Sequence, residues 1–320
     1  MSPTTDDTLV VGLAQISPVW LDRTASLDKV LSWIEKASAE GCAFVAFGEA
    51  LLPGYPFWIE YTDGARFDST LQKNVHAHYL DQAVRIEDGH LDQICRVAAE
   101  RRIAVMLGIV ERPTDRGGHS LYCSRVHIDS GGHIASVHRK LVPTYEERLS
   151  WSPGDGHGLQ VHQLGPFNVG GLNCWENWMP LSRAALYALG EDLHVALWPG
   201  NKRNTEDLTR FLAKEGRSYV LSVSGVMTKR DVRAQSPAAA VLGTCPTILA
   251  DGGSCIAKPD GTWLAPPTCG REELIVAALD HKEVRRERQN FDVVGHYARP
   301  DVTCLHVNTK RQSLATFDDN

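Results

Sequence analysis

The stretch Val169-Gly-Gly-Leu-Asn-Cys-Trp-Glu-Asn-Trp-Met-Pro180 decides the fold, because an apolar run ends in it and a helical pattern follows. Apolar residues then recur at helical spacing: Leu181, Ala184, Ala185, Leu186, Ala188 and Leu189. This pattern predicts a strand, a sharp turn and a helix, with Cys174 at the turn. A thiol there can face a ligand, and the N-terminus of the following helix would favour its thiolate. Most cysteines are simply packed in a core, so Cys174 alone identifies no site.

Strand and helix patterns alternate along the rest of the chain. Strands are predicted at 10–16, 42–47, 103–110, 169–173, 194–198, 220–227 and 275–279. Helices are predicted at 27–37, 71–84, 91–102, 205–219 and 283–288, and hairpins at 120–140 and 255–263. This alternation predicts an α/β fold of mixed sheets covered by helices. We expect one domain over residues 1–295 and a C-terminal tail over 296–320 that forms an interface or is disordered at its end.

Composition excludes several classes of protein. The chain has 320 residues, of which 43% are hydrophobic and 22% charged, which is enough to bury a large core. Its formal net charge of -6 does not indicate the basic surface that nucleic-acid-binding proteins have. No apolar stretch approaches the length that crosses a bilayer, and the polar, acidic segment Met1–Thr8 is unlike a secretory signal. We therefore expect a cytoplasmic protein with neither a nucleic-acid nor a membrane partner.

The cysteines and histidines give no metal or disulfide pattern. Eight cysteines stand at positions 42, 95, 123, 174, 245, 255, 269 and 304, and none form a Cys-x-x-Cys pair. Neither a disulfide framework nor a zinc site fits that spacing in so large a chain. The thirteen histidines are scattered. We expect reduced thiols and no bound metal.

Three charged residues accompany the apolar strands. Glu49 closes the run Phe44–Glu49, where it is either solvated at a sheet edge or held at the rim where α/β sites form. Beside that apolar run its pKa should rise, which suits a proton acceptor working near neutrality. Lys140 ends a hairpin strand, where a lysine is usually a surface charge. Glu147 follows in a polar loop, where it could equally be an ordinary loop carboxylate.

Together these residues resemble a known constellation. The segments Phe47-Gly-Glu-Ala-Leu-Leu-Pro-Gly-Tyr-Pro56, His138-Arg-Lys-Leu-Val-Pro-Thr144 and Asn173-Cys-Trp-Glu-Asn177 resemble the three signature blocks of the nitrilase (carbon–nitrogen hydrolase) superfamily. The resemblance covers nearly the whole chain, as far as the tail segment Gly295–Asp301. One departure is Gly48, which precedes the glutamate where the family frequently has proline.

The resemblance implies a fold and a set of roles. The expected fold is an α-β-β-α sandwich that pairs into a four-layer αββα-αββα homodimer, often within larger spirals. Cys174 would be the nucleophile, Glu49 the general base, Lys140 the cationic stabiliser and Glu147 a positioning glutamate. The implied reaction needs no metal and no organic cofactor.

The residue after the nucleophile narrows the expected chemistry. Tryptophan at position 175, directly after the cysteine, resembles the sequence of the nitrilase branch. We therefore expect hydrolysis of a small organic nitrile by water to a carboxylic acid and ammonia. The expected intermediates are a thioimidate and a thioester on Cys174. An amidase, another carbon–nitrogen hydrolase, a cyanide-degrading relative and a non-catalytic binding protein on the same fold are the alternatives. Aromatic residues suit apolar or aryl nitriles, although packing between layers explains them equally well. They are Tyr55, Phe57, Trp58, Trp175 and Trp198, and all of them except Phe57 are the candidate substrate-binding residues.

Overall fold

A computed structural model describes residues 7–234, 236, 239–242 and 245–315. Its strands are β1 (Thr8–Gln15), β2 (Phe44–Phe47), β3 (Ala104–Glu111), β4 (Tyr122–Ile128), β5 (Ile134–Arg139), β6 (His162–Leu164), β7 (Phe167–Asn173), β8 (Leu193–Trp198), β9 (Tyr219–Ser224), β10 (Val226–Thr228), β11 (Ile248–Ala257), β12 (Trp263–Cys269) and β13 (Glu273–Asp280). Its helices are α1 (Arg23–Ala39), α2 (Trp58–Tyr61), α3 (Thr70–Gln82), α4 (Asp92–Arg101), α5 (Pro180–Ala188), α6 (Lys202–Gly216) and α7 (His281–Asn290).

The strands form two mixed sheets. The first sheet has the order β13-β1-β2-β3-β4-β5, in which β1, β2 and β3 run parallel and the outer pairs are antiparallel. The second sheet has the order β10-β11-β9-β8-β7-β6, with β12 paired to β11 and with β7, β8 and β9 parallel. In each sheet, helices connect the parallel strands, as parallel pairing requires. Glu49 and Cys174 therefore lie just beyond the carboxyl ends of β2 and β7, one in each sheet.

Apolar side chains fill the space between the sheets and the space under the helices. The layer between the sheets includes Phe44, Met106, Val195 and Leu221, all of them buried. On the outer face of the first sheet, α1 and α4 bury Val30, Ile34 and Ile94. On the outer face of the second sheet, α6 buries Leu208 and Leu212. The predicted α-β-β-α sandwich is confirmed, and its pairing into a dimer stays a prediction.

Two predicted elements differ from the structure. The helix expected directly after Cys174 begins only at Pro180, because the short 3₁₀ helix Cys174–Trp178 comes first. The predicted strand 220–227 is divided into β9 and β10 at Gly225, whose N–H donates to the Trp198 carbonyl at 3.2 Å.

Part of the predicted tail lies against the body of the protein. Beyond α7 the described residues contain no helix or strand. Arg311 pairs with Asp155 at 2.9 Å, and the backbone N–H of Gln312 donates to the same carboxylate at 3.0 Å. Residues 316–320 lie outside the described residues, and the boundary at residue 295 stays a prediction. None of the described helices combines the length and the apolar composition that a membrane crossing requires.

Candidate active site

Glu49 stands where the chain leaves β2, at a place where three backbone segments meet. Its N–H donates to the Trp198 carbonyl of the second sheet at 3.1 Å. A Cβ on Gly48 would lie 3.0 Å from that carbonyl oxygen, and a Cβ on Gly108 of β3 would lie 2.3 Å from the Gly48 oxygen. Glycine at both positions therefore leaves room for the close approach of these segments.

Lys140 follows β5 and lies between two carboxylates. Its Nζ is 2.8 Å from Glu49 Oε1 and 2.8 Å from Glu147 Oε2, and all three side chains are buried. Its backbone N–H donates to the Cys123 carbonyl at 2.7 Å, which continues the pairing with β4. The ammonium is thus the shared counter-charge of both glutamates, which makes this charge cluster tolerable in the interior.

Glu147 is held from both sides on the short 3₁₀ helix Tyr145–Leu149. Its Oε2 accepts the backbone N–H of Thr144 at 2.6 Å, which forms a capping box at the start of the helix. Its Oε1 accepts the hydroxyl of Tyr55 at 2.9 Å. With Lys140 as a further donor, the carboxylate has a fixed orientation.

Cys174 begins the turn that follows β7. Its backbone has φ of 45°, a left-handed conformation that residues with a side chain adopt rarely. Because the turn is sharp, the thiol leaves the strand end and meets the residues of the first sheet. Such strain persists only where neighbouring contacts enforce it.

Glu176 is one of those contacts, and it joins the two sheets. Its carboxylate accepts the backbone N–H of Asn173 at 2.9 Å and that of Leu141 at 2.7 Å. The buried ring of His138 lies 3.1 Å from the same carboxylate. One side chain therefore ties the segment that carries Lys140 to the segment that carries Cys174.

Asn177 holds the turn from its other side. Its amide Nδ2 donates to the Cys174 carbonyl at 2.8 Å, and its Oδ1 lies 2.7 Å from Nε2 of His194. The other ring nitrogen of His194 lies 2.9 Å from Glu191. This buried chain of hydrogen bonds holds the carbonyl of the left-handed residue in place.

Burial and charge set the ionisation of the site. Burial raises the pKa of Glu49 to about 7, with a further rise from Glu147 and an opposing effect of Lys140. Burial alone would lower the pKa of Lys140, but the negative groups around it raise that pKa well above its usual range. A carboxylate with a pKa near neutrality beside a permanent cation suits proton transfer.

Burial outweighs the groups that favour the thiolate of Cys174 in the resting site. Burial raises the pKa of this thiol well above its usual range, and this effect exceeds the opposing attraction of Lys140 and the N–H of Trp175. Cys174 therefore carries its proton and needs an acceptor before it can attack. Glu49 has a carboxylate oxygen within 4.8 Å of the thiol, and its Oε2 has no hydrogen-bond partner among the described residues, which favours it as the acceptor.

Three side chains of this cluster lie close to one another around the Lys140 ammonium. Glu49, Glu147 and Cys174 each offer one atom, and these atoms lie within 4.8 Å of one another, a spacing that could hold a metal ion. The Lys140 ammonium, at 2.8 Å from both carboxylates, already supplies positive charge there. A metal would have to compete with that ammonium.

The four residues predicted to bind substrate occupy different places. Tyr55 contacts Glu147 directly, and its ring packs on Trp151 at a centroid distance of 5.5 Å. Trp58 is buried, with its ring 4.7 Å from that of Tyr79, and it lines a cavity of about 190 Å³ beside α3. Tyr55 thus contacts the positioning glutamate, whereas Trp58 belongs mainly to the packing around the site.

Trp175 and Trp198 differ more strongly. Trp175 is 52% exposed and lines a cavity of about 320 Å³ together with Tyr145 and Met179. Trp198 is fully buried under α6, and its indole N–H points to Ser222 Oγ at 3.3 Å. The carbonyl of Trp198, rather than its ring, meets the Glu49 segment.

Sequence reasoning missed several residues that hold the site. They are Cys123, His138, Glu176, Asn177 and His194. The spacing of Asn173 and Glu176 is that of a capping box and was a readable signal. The remaining contacts join different sheets, and no local pattern announces them.

Known proteins are similar to this chain over most of its length. A profile of the carbon–nitrogen hydrolase family matches residues 10–289. A protein named Nitrilase 2 from an unknown prokaryotic organism is 35% identical over 97% of this chain and 96% of its own length. A nitrilase from Talaromyces marneffei is 35% identical over 93% of this chain and 94% of its own length.

A solved structure shares the fold. The carbon–nitrogen hydrolase from Helicobacter pylori G27 superimposes with a TM-score of 0.70 at 18% identity, over 92% of this chain and 97% of that one. The family profile and the relatives extend across both sheets and all three signature blocks. The chain therefore belongs to the carbon–nitrogen hydrolase family and, within it, to the nitrilase branch.

Proposed function

We propose that this protein is a nitrilase, which hydrolyses an organic nitrile to the carboxylic acid and ammonia. The observation that carries the proposal is the contact set around Lys140. A buried ammonium 2.8 Å from two carboxylates adjoins a protonated thiol on a left-handed turn. The relatives named nitrilase support the same chemistry.

The first half of the reaction forms a covalent bond. Glu49 takes the proton of Cys174 as the sulfur attacks the nitrile carbon, which gives a thioimidate. The ammonium of Lys140 and the backbone N–H of Trp175 stabilise the negative charge that develops on the nitrile nitrogen. Because Glu49 has a pKa of about 7, it can accept that proton near neutrality and return it.

The second half consumes two waters. Addition of the first water to the thioimidate gives a tetrahedral species, which loses ammonia and leaves a thioester on Cys174. Glu49 activates the second water, which releases the carboxylic acid and restores the thiol. Glu147, fixed by Tyr55 and Lys140, keeps the ammonium in place through both halves.

The groove beside Trp175 supports an apolar nitrile as the substrate. The cavity of about 320 Å³ lined by Trp175 and Tyr145 adjoins a second cavity of about 400 Å³ that Tyr145 also lines. The two aromatic rings of the first cavity favour apolar or aryl groups, whereas carboxylates such as Glu60 and Asp63 line the second. The first cavity therefore supports an organic nitrile rather than cyanide as the substrate.

The decisive test compares each nitrile of a panel with its own amide, with ammonia and acid both measured. We expect nitrile hydrolysis to be the faster reaction. Cys174→Ala should stay folded and lose all turnover, whereas Cys42→Ala, which removes a thiol under α1, should keep it. Faster hydrolysis of the amides would assign the protein to the amidases, and ammonia release by Cys174→Ala would remove the nucleophile from the mechanism.

The homodimer and the cytoplasmic location also belong to this proposal. Trp178, Leu181 and Phe211 are more than half exposed beside or on the outer helices α5 and α6, which supports self-association through that layer. Light scattering on the eluting protein should give at least twice the mass of 35.3 kDa. A monomer at all concentrations would contradict the pairing.

A further inference from the structure

A second thiol touches the candidate base. Cys123 of β4 is fully buried, and its Sγ lies 3.3 Å from Glu49 Oε1. Its backbone carbonyl accepts the N–H of Lys140 at 2.7 Å. One residue of β4 therefore contacts both the proton acceptor and the segment of the cation, yet the proposed reaction assigns it no role.

The two oxygens of the Glu49 carboxylate have unequal surroundings. Oε1 receives the Lys140 ammonium at 2.8 Å and the Cys123 thiol at 3.3 Å. Oε2 is buried and has no hydrogen-bond partner among the described residues. The thiol must be the donor in this pair, because burial raises the pKa of Cys123 well above its usual range and keeps it protonated.

We propose that Cys123 is a positioning residue for Glu49, which it holds by donating its S–H to Oε1 so that Oε2 stays free to take the proton of Cys174. The proposal rests on the roles proposed above for Glu49 and Cys174. With Lys140 as its one donor, the carboxylate plane could swing about its last bond and turn the second oxygen away from Cys174. A second donor to the same oxygen restricts that swing, because turning the plane weakens both contacts.

Other titratable groups also face Glu49 from the elements around it. They are Lys140 after β5, Glu147 on the 3₁₀ helix, Cys174 at the turn, Tyr55 after β2 and Tyr79 on α3. Burial raises the pKa of both tyrosines and of Cys174, so these three are neutral. Among the described residues, Cys123 is thus the neutral side chain that donates to this carboxylate.

A donor to the ionised form of an acid stabilises that form. Removal of the Cys123 thiol should therefore make Glu49 hold its proton to higher pH. A residue that merely filled space would not move this titration. The pH dependence of Cys174 reactivity consequently separates positioning from packing.

The experiment measures alkylation of Cys174 by iodoacetamide, which requires no nitrile. The rate is followed from pH 5 to 9 by the mass of the peptide that contains Cys174. In the unchanged protein the rate should fall below about pH 7, where Glu49 is protonated. Cys123→Ala should raise that midpoint by about half a pH unit, since S–H is a weak donor. Cys123→Ser, which keeps a donor, should have a midpoint below that of Cys123→Ala.

The chain offers a matched control in Cys255 of β11. This thiol is also fully buried and also donates to a side-chain oxygen, Thr209 Oγ1, at 3.5 Å. Cys255→Ala should leave the midpoint of Cys174 alkylation where it is. A general effect of removing a buried thiol would instead shift both alanine variants together.

Several results would overturn the proposal. They are an unchanged midpoint in Cys123→Ala, an equal shift in the alanine and serine variants, or a shift in Cys255→Ala as large as that in Cys123→Ala. If Cys123→Ala does not fold, Cys123→Ser decides: a midpoint at or below that of the unchanged protein supports the proposal, and a higher one contradicts it. Nitrile turnover is measured in the same series. Absent turnover with a shifted alkylation midpoint would contradict the nitrilase function and leave the role of Cys123 intact.

Discussion

The first sheet holds its part of the site through charges, whereas the second sheet holds Cys174 through backbone geometry. Glu49, Lys140 and Glu147 are joined by ion pairs of 2.8 Å, and all three are buried. Cys174 instead has a left-handed backbone conformation, and the Asn177 side chain donates to its carbonyl. We call the first group the charged half and the turn with its hydrogen bonds the elbow half.

The difference teaches which property each half controls. A change in the charged half alters ionisation, because three charges share one small buried volume and none is screened by water. A change in the elbow half alters the position of the sulfur while it leaves the charges in place. Glu176 is the exception that joins the halves, since its carboxylate binds both Leu141 and Asn173.

The largest effect should come from Lys140→Met in the charged half. Two buried carboxylates would lose their shared cation, so we expect turnover to fall at least about a thousandfold and the free energy of unfolding by about 3–5 kcal/mol. Steady-state kinetics and urea denaturation measure the two losses. Lys36→Met, at an exposed lysine of α1, is the control and should change neither. Native-like turnover in Lys140→Met would show that the ammonium has no part in the reaction.

The second largest effect should be the dependence of kcat/KM on pH, which the charged half sets. Because Glu49 has a pKa of about 7, kcat/KM should fall tenfold for each pH unit below 7, or about a hundredfold at pH 5. Glu147→Gln should move this acid limb to lower pH, since the negative charge of Glu147 raises the pKa of Glu49. An acid limb at the ordinary carboxyl range, near pH 4.5, would contradict the burial effect.

The raised pKa of Glu49 makes the folded state less stable as the pH rises, whereas it makes the enzyme more active. The folded state binds the Glu49 proton more tightly than the unfolded chain does, because its folded pKa is raised. This group therefore favours folding fully below the ordinary carboxyl pKa, and that contribution is lost as the pH rises through about 7. Activity and this stability contribution thus change in opposite directions across one pH range.

Glu176→Gln should break the link between the halves with a smaller effect. An amide has one acceptor oxygen, so either the Leu141 N–H or the Asn173 N–H loses its partner. We expect kcat to fall about tenfold and the free energy of unfolding by about 1–3 kcal/mol, without a shift of the acid limb. Glu35→Gln, a change in a surface ion pair with Arg101, serves as the control. A moved acid limb in Glu176→Gln would place this residue in the charged half instead.

The sequence could predict the strand ends and the residues on them. Apolar runs end at Gly48 and at Asn173, and the carboxyl ends of parallel strands are where α/β sites form. The order of Glu49, Lys140 and Cys174 in three family-like blocks then predicted that they meet. The side-chain contacts of Glu49 and Glu147 with Lys140 are consistent with that prediction.

The sequence could not predict the contacts that cross between elements. All seven residues of β4 are buried, so its alternation does not tell which side chains face Glu49, and Cys123 reads like any core cysteine. The reach of Glu176 to Leu141 depends on how the two sheets are stacked, which no local spacing encodes. Ionisation was predictable for Glu49 but not for Cys174, because burial of the turn outweighs the helix N-terminus.

The smallest effect on turnover should come from Trp198→Phe, which changes the indole ring but keeps the backbone carbonyl that contacts Glu49. The indole lies under α6, so its loss should lower stability by about 1–3 kcal/mol through poorer packing, with turnover changed less than about threefold. Trp175→Phe should do the reverse, since its half-exposed ring lines the groove: KM should change while the unfolding free energy stays constant. Nitrile kinetics and urea denaturation on both variants decide. A larger change of KM in Trp198→Phe than in Trp175→Phe would place the Trp198 ring in the substrate pocket. The elbow half would then include this ring next to the Cys174 sulfur.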